Sequence, residues 1–239
     1  KGMDTVMNYQ LINALIRYFK YGDYHLLNRV IKEIQVEYPD DTINSLMNFT
    51  STHDITRAIN IFACNDFNYY GEWAWNLSNQ NRDFEKNYHL SQEQYDLGKK
   101  VYLAYLYTLT FFPGMISIFY GDEVGLQGMG NLANRRPFSW HRMDHELLQY
   151  FQKIGQIRQK ELYLHDASLD IVDINDKYLS FLRKGINDEA LIYVNRLNEK
   201  VDIKVPKTYQ YEKVLYSLNN STNKELNNYG GIVLKKTRK

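Results

Sequence analysis

The sequence predicts an α/β protein, with strands and helices alternating over residues 1–160 and a small antiparallel β domain over residues 161–239. Three observations carry this prediction. Up to about residue 160, apolar residues recur at helical spacing in several segments, and short strand-like runs lie between those segments. After Glu161 the helical period disappears, and short apolar or alternating runs follow one another across Asn-Asp pairs. Of the 239 residues, 44% are hydrophobic and 24% charged, enough for a packed core and too apolar for global disorder.

Residues 5–8 read as a short strand. Leu11, Ile12, Leu15, Ile16 and Phe19 make one helical face, and Leu26, Leu27, Val30, Ile31 and Ile34 a second. Pro39 and Asp40-Asp41 interrupt, and residues 46–50 read as the next strand. Ile55, Ala58, Ile59 and Phe62 predict a short helix, whereas the polar and aromatic stretch 64–90 has no period and reads as a long loop. Ser91 with Gln94 forms a capping box, followed at helical spacing by Leu97, Val101, Ala104, Tyr105, Thr108 and Leu109. Pro113-Gly114 ends that helix, and residues 115–120 read as a buried strand. Asp144 caps a last helix whose face is Leu147, Leu148, Phe151, Ile154 and Ile157. Residues 169–174, 178–184, 190–195, 201–205, 214–218 and 232–234 then read as strands, with Asn175-Asp176 and Asn187-Asp188 at hairpin turns.

Composition narrows the function classes. Lys and Arg total 29 against 28 Asp and Glu, a net charge of +1, so no basic excess supports nucleic-acid binding. The single cysteine, Cys64, excludes an internal disulfide and leans toward a cytoplasmic setting, while localisation is otherwise unknown. The uncharged run 101–121 has the length of a membrane span, but Pro113-Gly114 breaks it and Tyr, Thr and Ser are scattered through it, so no membrane partner is expected. The start, Lys1-Gly2-Met3, shows no signal-peptide pattern and no initiating Met, so the chain is expected to begin inside a longer protein. Aromatic residues, 15% of the chain, suit sugar rings and protein cores equally.

Three predicted strand ends carry polar clusters: Asn8-Tyr9, Ser51-Thr52-His53-Asp54 and Gly121-Asp122-Glu123. In parallel βα folds such ends share one face, so Asp54, Asp122 and Glu123 are candidates for the carboxyl pair that glycoside hydrolysis uses. Each has a plainer reading as well. A strand-end carboxylate also serves as a helix cap or loop anchor, and His53 alone fits a structural histidine. No second His or Cys stands at metal-ligand spacing from His53, so zinc has no support.

Taken in order, the segments Asp4-Thr5-Val6-Met7-Asn8-Tyr9, Asn48-Phe49-Thr50-Ser51-Thr52-His53-Asp54-Ile55-Thr56-Arg57, Pro113-Gly114-Met115-Ile116-Ser117-Ile118-Phe119-Tyr120-Gly121-Asp122-Glu123-Val124-Gly125 and Asn134-Arg135-Arg136-Pro137-Phe138-Ser139-Trp140 resemble the alpha-amylase family of glycoside hydrolases. The neopullulanase, cyclomaltodextrinase and maltogenic amylase branch is the most similar. The resemblance covers residues 1 to about 160, and the β domain after it looks like that family's C-terminal domain.

The resemblance implies the C-terminal part of a (β/α)8 TIM barrel, strands six to eight, followed by an antiparallel β-sandwich. It implies retaining hydrolysis of α-1,4 or, in close relatives, α-1,6 glucosidic bonds of maltodextrins or cyclodextrins, with an α-glucan oligosaccharide as the substrate partner. By this resemblance Asp54 matches the third catalytic carboxylate, which grips sugar hydroxyls beside the scissile bond, and His53 helps hold that sugar. Arg135 matches a position that reaches substrate in relatives, with a loop-anchoring salt bridge as the alternative. Asp122-Glu123 read as an architectural pair. The family's nucleophile Asp and general-acid Glu belong to the fourth and fifth strands and match nothing here, so this chain is expected to be inactive alone. It is also expected to associate with itself or with the missing N-terminal part through open strand edges. Tyr69, Tyr70, Trp73 and Trp75, in the stretch 66–87, either stack on glucosyl units or pack over the barrel mouth. No cofactor is expected, because no ligand cluster demands one; the resemblance allows calcium in the parent enzyme, where it is often bound by segments that are not in this chain. The rival from another class is a non-catalytic chain that binds glycan through the aromatic loop and the β domain.

Overall fold

Parallel pairing organises the first part of the chain. The structure is a computed structural model that describes residues 5–64, 86–130 and 132–238, so the aromatic loop residues Tyr69, Tyr70, Trp73 and Trp75 lie outside the described residues. Met7 bridges Met47 in parallel, and strand β1 (Met47–Phe49) pairs in parallel with β2 (Met115–Ser117), Asn48 opposite Ile116. Parallel neighbours need a crossover that returns the chain to the same end. Helices α1 (Tyr9–Tyr21), α2 (Tyr24–Glu37) and α3 (Asp40–Ser45) lie in the first crossover. Helices α4 (Ala58–Ala63) and α5 (Gln92–Phe111) lie in the second, and α6 (His145–Lys160) follows β2.

Local chemistry sets the helix ends. The side chain of Asn8 accepts from the Leu11 N–H at the start of α1, and Gly22 ends that helix in the left-handed region at φ 75°, its N–H returning to the Tyr18 carbonyl. Asp23 caps α2, the Ser91–Gln94 capping box opens α5, and Asp144 caps α6 by accepting from the Leu147 N–H. The apolar faces read from the sequence are the buried ones, with Leu11, Leu15 and Phe19 on α1, Leu27 and Ile31 on α2, and Phe151 and Ile154 on α6.

Three local readings change. Residues 5–8 form a single bridge rather than a strand. Pro39 starts a helix instead of only interrupting: it stands at the N-cap of α3, with Asp40 and Asp41 in the first turn, where negative charge is favourable. The strand at 115–120 is shorter and less buried than its apolar sequence implies, with Met115 47% and Ile118 46% exposed. Among the described residues β2 has a neighbour, β1, along one edge only.

The second part is antiparallel. Strands β3 (Ser168–Ile174), β4 (Tyr178–Lys184), β5 (Asp188–Asn195), β9 (Gly231–Thr237) and β7 (Lys213–Leu218) form a five-stranded sheet in the order β3-β4-β5-β9-β7. Strands β6 (Val201–Asp202) and β8 (Glu225–Leu226) form a separate two-stranded ribbon, of which β8 is too short to leave a period in the sequence. One face of the sheet, through Phe181, Ile192, Val194 and Val233, joins the core made by the helices. The other face, through Leu191, Tyr193, Ile232 and Leu234, packs on Ile203 and Leu226 beside the ribbon. The sheet therefore lies between helices and a small ribbon, with no second sheet of comparable size among the described residues. Arg183, fully buried on β4, donates to the carbonyls of Phe111 at 2.7 Å, Leu164 at 3.0 Å and Ala167 at 2.8 Å. Burial pushes its pKa down to about 9, and the neighbouring charge of Arg158 acts in the same direction. Among the described residues, no helix is long and apolar enough to cross a membrane.

Candidate active site

The loops leaving the C-terminal ends of Met7, β1 and β2 are stitched together by polar side chains. Asn8 Nδ2 donates to Asn48 Oδ1 at 3.0 Å, and the Tyr9 hydroxyl lies 3.3 Å from Thr52 Oγ1. The Phe119 N–H donates to Thr50 Oγ1 at 3.2 Å, so the ends of β1 and β2 are held in register past the last ladder bond.

Beneath the surface sits a buried ion pair. Asp122 accepts from Thr50 Oγ1 at 2.6 Å and Ser51 Oγ at 2.5 Å, and its Oδ1 lies 3.2 Å from Arg57 Nη1. Neither side chain of the pair is exposed. Arg57 also donates to the Tyr120 carbonyl and, through Nε, to the Asn134 carbonyl at 2.8 Å, with its guanidinium carbon 4.2 Å from the Phe119 ring centre and 4.6 Å from that of Tyr120. Burial raises the Asp122 pKa above the usual carboxylate value, although the Arg57 charge and the two hydroxyls oppose it. These contacts occupy Asp122 in holding three loops together.

Above this base, the turn 52–55 carries the predicted site residues. Thr52 Oγ1 accepts from the Asp54 N–H at 3.2 Å. His53 Nε2 lies 3.3 Å from Asp54 Oδ2, and Arg135 Nη2 lies 3.4 Å from Asp54 Oδ1. Arg135 Nε donates to the His53 carbonyl at 3.0 Å. The structure thus brings together His53, Asp54 and Arg135, with side chains 60%, 30% and 48% exposed respectively. Asp54 caps no helix: α4 begins at Ala58 with Arg57 at its N-cap and no side-chain cap bond. A carboxylate has about four acceptor positions, so the two long contacts leave Asp54 capacity for further donors.

Sequence reasoning missed Arg57 and Asn134 as parts of this assembly. Both are buried polar residues whose partners lie far away in the chain, and nothing local marks such a contact. Among the described residues, no group of three His, Cys, Asp or Glu is placed to hold a metal ion.

Parallel strands joined by helical crossovers and followed by an antiparallel β domain define a class of α/β scaffold. Solved alpha-amylases share this fold. The chain superposes over its whole length on 48% of an Anoxybacillus alpha-amylase, with a TM-score of 0.73 at 18% identity, which is a likeness of fold. It is 32% identical over 197 residues to the amylopullulanase of Thermoanaerobacter thermohydrosulfuricus, covering 77% of this chain and 12% of that protein. It is also 24% identical over 209 residues to the cyclomaltodextrinase of Geobacillus thermopakistaniensis (strain MAS1), covering 85% of this chain and 30% of that protein. No family model matches the chain. The chain belongs to the alpha-amylase family of glycoside hydrolases. It spans less than a third of the length of these curated relatives.

Proposed function

We propose that residues 1–239 are part of a retaining α-glucan hydrolase that cleaves α-1,4 or α-1,6 glucosidic bonds in maltodextrins or cyclodextrins. In this reading residues 1–160 supply strands six to eight of a (β/α)8 barrel, and residues 161–239 form its C-terminal β domain. The observation that carries the reading is the partly exposed Asp54 carboxylate set between His53 at 3.3 Å and Arg135 at 3.4 Å on the loop leaving β1.

The chemistry follows from charge. Ionised Asp54 accepts hydrogen bonds from two sugar hydroxyls beside the scissile bond. As the ring flattens toward an oxocarbenium ion, those hydroxyls become more acidic and the bonds tighten, so the carboxylate binds the transition state more strongly than the ground state. Arg135 orients the carboxylate, while the His53 ring lies beside the same sugar. The nucleophile and general acid are matched by no residue of this chain, so the 239 residues turn over no substrate alone and act with the remainder of the barrel. That remainder packs on the open edges beside Met7 and β2, where Met7, Met115 and Ile118 are exposed.

The test is steady-state hydrolysis of β-cyclodextrin and maltoheptaose by the full-length protein and its Asp54→Asn variant. Loss of kcat with retained folding supports the reading, and unchanged kcat refutes it.

A further inference from the structure

We propose that Asn134 is a positioning residue for Asp54, clamping the turn that carries the carboxylate. The inference rests on the functional reading of Asp54 given above.

Asn134 is fully buried. Its Nδ2 donates to the Thr52 carbonyl at 3.0 Å and to the Ile55 carbonyl, residues 82 and 79 positions away in the chain. A side-chain amide has two N–H donors, and both are used on one turn, on either side of Asp54. The next residue completes the grip, since Arg135 Nε donates to the His53 carbonyl at 3.0 Å. Within the turn the Asp54 N–H reaches Thr52 Oγ1 at 3.2 Å and the Ile55 N–H reaches the Thr52 carbonyl at 3.4 Å, both long, and the bonds from outside add to this hold.

The clamp is itself fixed. The Asn134 carbonyl accepts from Arg57 Nε at 2.8 Å, and Arg57 is held by the buried ion pair with Asp122. A second, independent observation is the closeness of the segment around Gly128. A Cβ there would lie 2.5 Å from Asn134 Cα and 2.7 Å from the Ala133 carbonyl oxygen, so only glycine lets the chain pass this near. The Gly128 carbonyl accepts from the Arg57 N–H at 2.9 Å, and its N–H donates to Asn60 Oδ1 at 2.8 Å. A path of hydrogen bonds therefore runs from Asp122 through Arg57 and Asn134 to the Thr52 and Ile55 carbonyls on either side of Asp54. Transition-state contacts are sensitive to displacements of about 1 Å, so an Asn134 that only filled space and one that aims Asp54 differ measurably.

The experiment compares Asn134→Ala, Asp54→Asn and the double variant in the full-length protein, with β-cyclodextrin as the probe and melting temperatures recorded for each. Asn134→Ala is expected to lower kcat by at least about tenfold with KM changed by less than about threefold. On the Asp54→Asn background the same change is expected to cost no more than about twofold, because Asn134 acts through Asp54. Asn134→Asp gives a second readout: its ionised carboxylate faces two carbonyl oxygens, while its protonated form restores one donor. Relative to wild type, its kcat is expected to recover as the pH falls, which a space-filling role does not produce. If Asn134→Ala does not fold, Asn134→Ser, which keeps one donor, takes its place in the comparison. A damaging Asp54→Asn beside a silent Asn134→Ala overturns this inference alone, as does a full Asn134 loss on the Asp54→Asn background. A silent Asp54→Asn overturns the functional reading and this inference with it.

Discussion

Arg135 holds Asp54 in two ways: Nη2 lies 3.4 Å from the carboxylate Oδ1, while Nε donates to the backbone carbonyl of His53 at 3.0 Å. One planar guanidinium therefore fixes both a charge and the peptide beside it. Lysine carries the charge but lacks the fork, so it cannot reproduce both contacts. Arg135→Lys in the full-length protein is expected to lower kcat by about tenfold on β-cyclodextrin. Because the pair is partly exposed, stability is expected to change by less than about 1 kcal/mol. A lower melting temperature with unchanged kcat means that Arg135 only anchors its loop.

The buried pair below makes an opposite forecast. Asp122→Asn leaves the Arg57 guanidinium buried without its counter-charge, and breaking such a pair costs about 3–5 kcal/mol. Urea unfolding is expected to show that loss as a shifted midpoint with an unchanged slope. Lost turnover at full stability points instead to Asp122 as a reacting carboxylate.

Acid tests the cap of α6. Burial alone raises the Asp144 pKa, but bonds from Lys99, the Leu147 N–H and the Tyr95 hydroxyl outweigh it and leave the group below the usual value. A carboxyl lowered in the folded state stabilises it above the unfolded pKa of about 3.9, and that contribution is lost as the pH falls through the folded pKa. Asp144→Asn still caps the helix but cannot titrate. The melting-temperature advantage of wild type over Asp144→Asn is therefore expected near neutral pH and to shrink below about pH 4. An advantage independent of pH contradicts the assignment.

Much of this architecture is legible in the sequence because helices longer than two turns repeat their burial. The faces of α1, α2 and α6 and the caps Ser91 and Asp144 follow from spacing and side-chain chemistry. The six-residue α3 and the two-residue β8 are too short to set a period. The exposure of Met115 and Ile118 is illegible for another reason, since an apolar run does not state which neighbours cover it. His53 and Asp54 are marked by one motif, and Arg135 by a second, Arg135-Arg136-Pro137, that matches the family. The Asn134 clamp is not marked at all, because a hydrogen bond across 82 residues leaves no local trace.

In the proposed function nucleophile and acid lie outside these 239 residues, so the isolated chain is expected to show no hydrolysis of β-cyclodextrin or pullulan above background. With apolar side chains beside open strand edges, it is expected to run heavier than its 28.4 kDa monomer in sedimentation. Turnover by a clean sample assigns a second reacting carboxylate within the chain. A monomer with little dye-binding surface removes the case for association.

Asp54 is the residue on which the proposed chemistry turns. Its carboxylate caps no helix and lies between His53 and Arg135, and in the proposed function its charge serves the substrate rather than the fold. Asp54→Asn in the full-length protein keeps the shape and removes the charge that makes hydroxyl contacts strong. On β-cyclodextrin, kcat is expected to fall by at least about a hundredfold with KM changed much less, and with a melting temperature at the wild-type value. An unchanged kcat with a lowered melting temperature contradicts it.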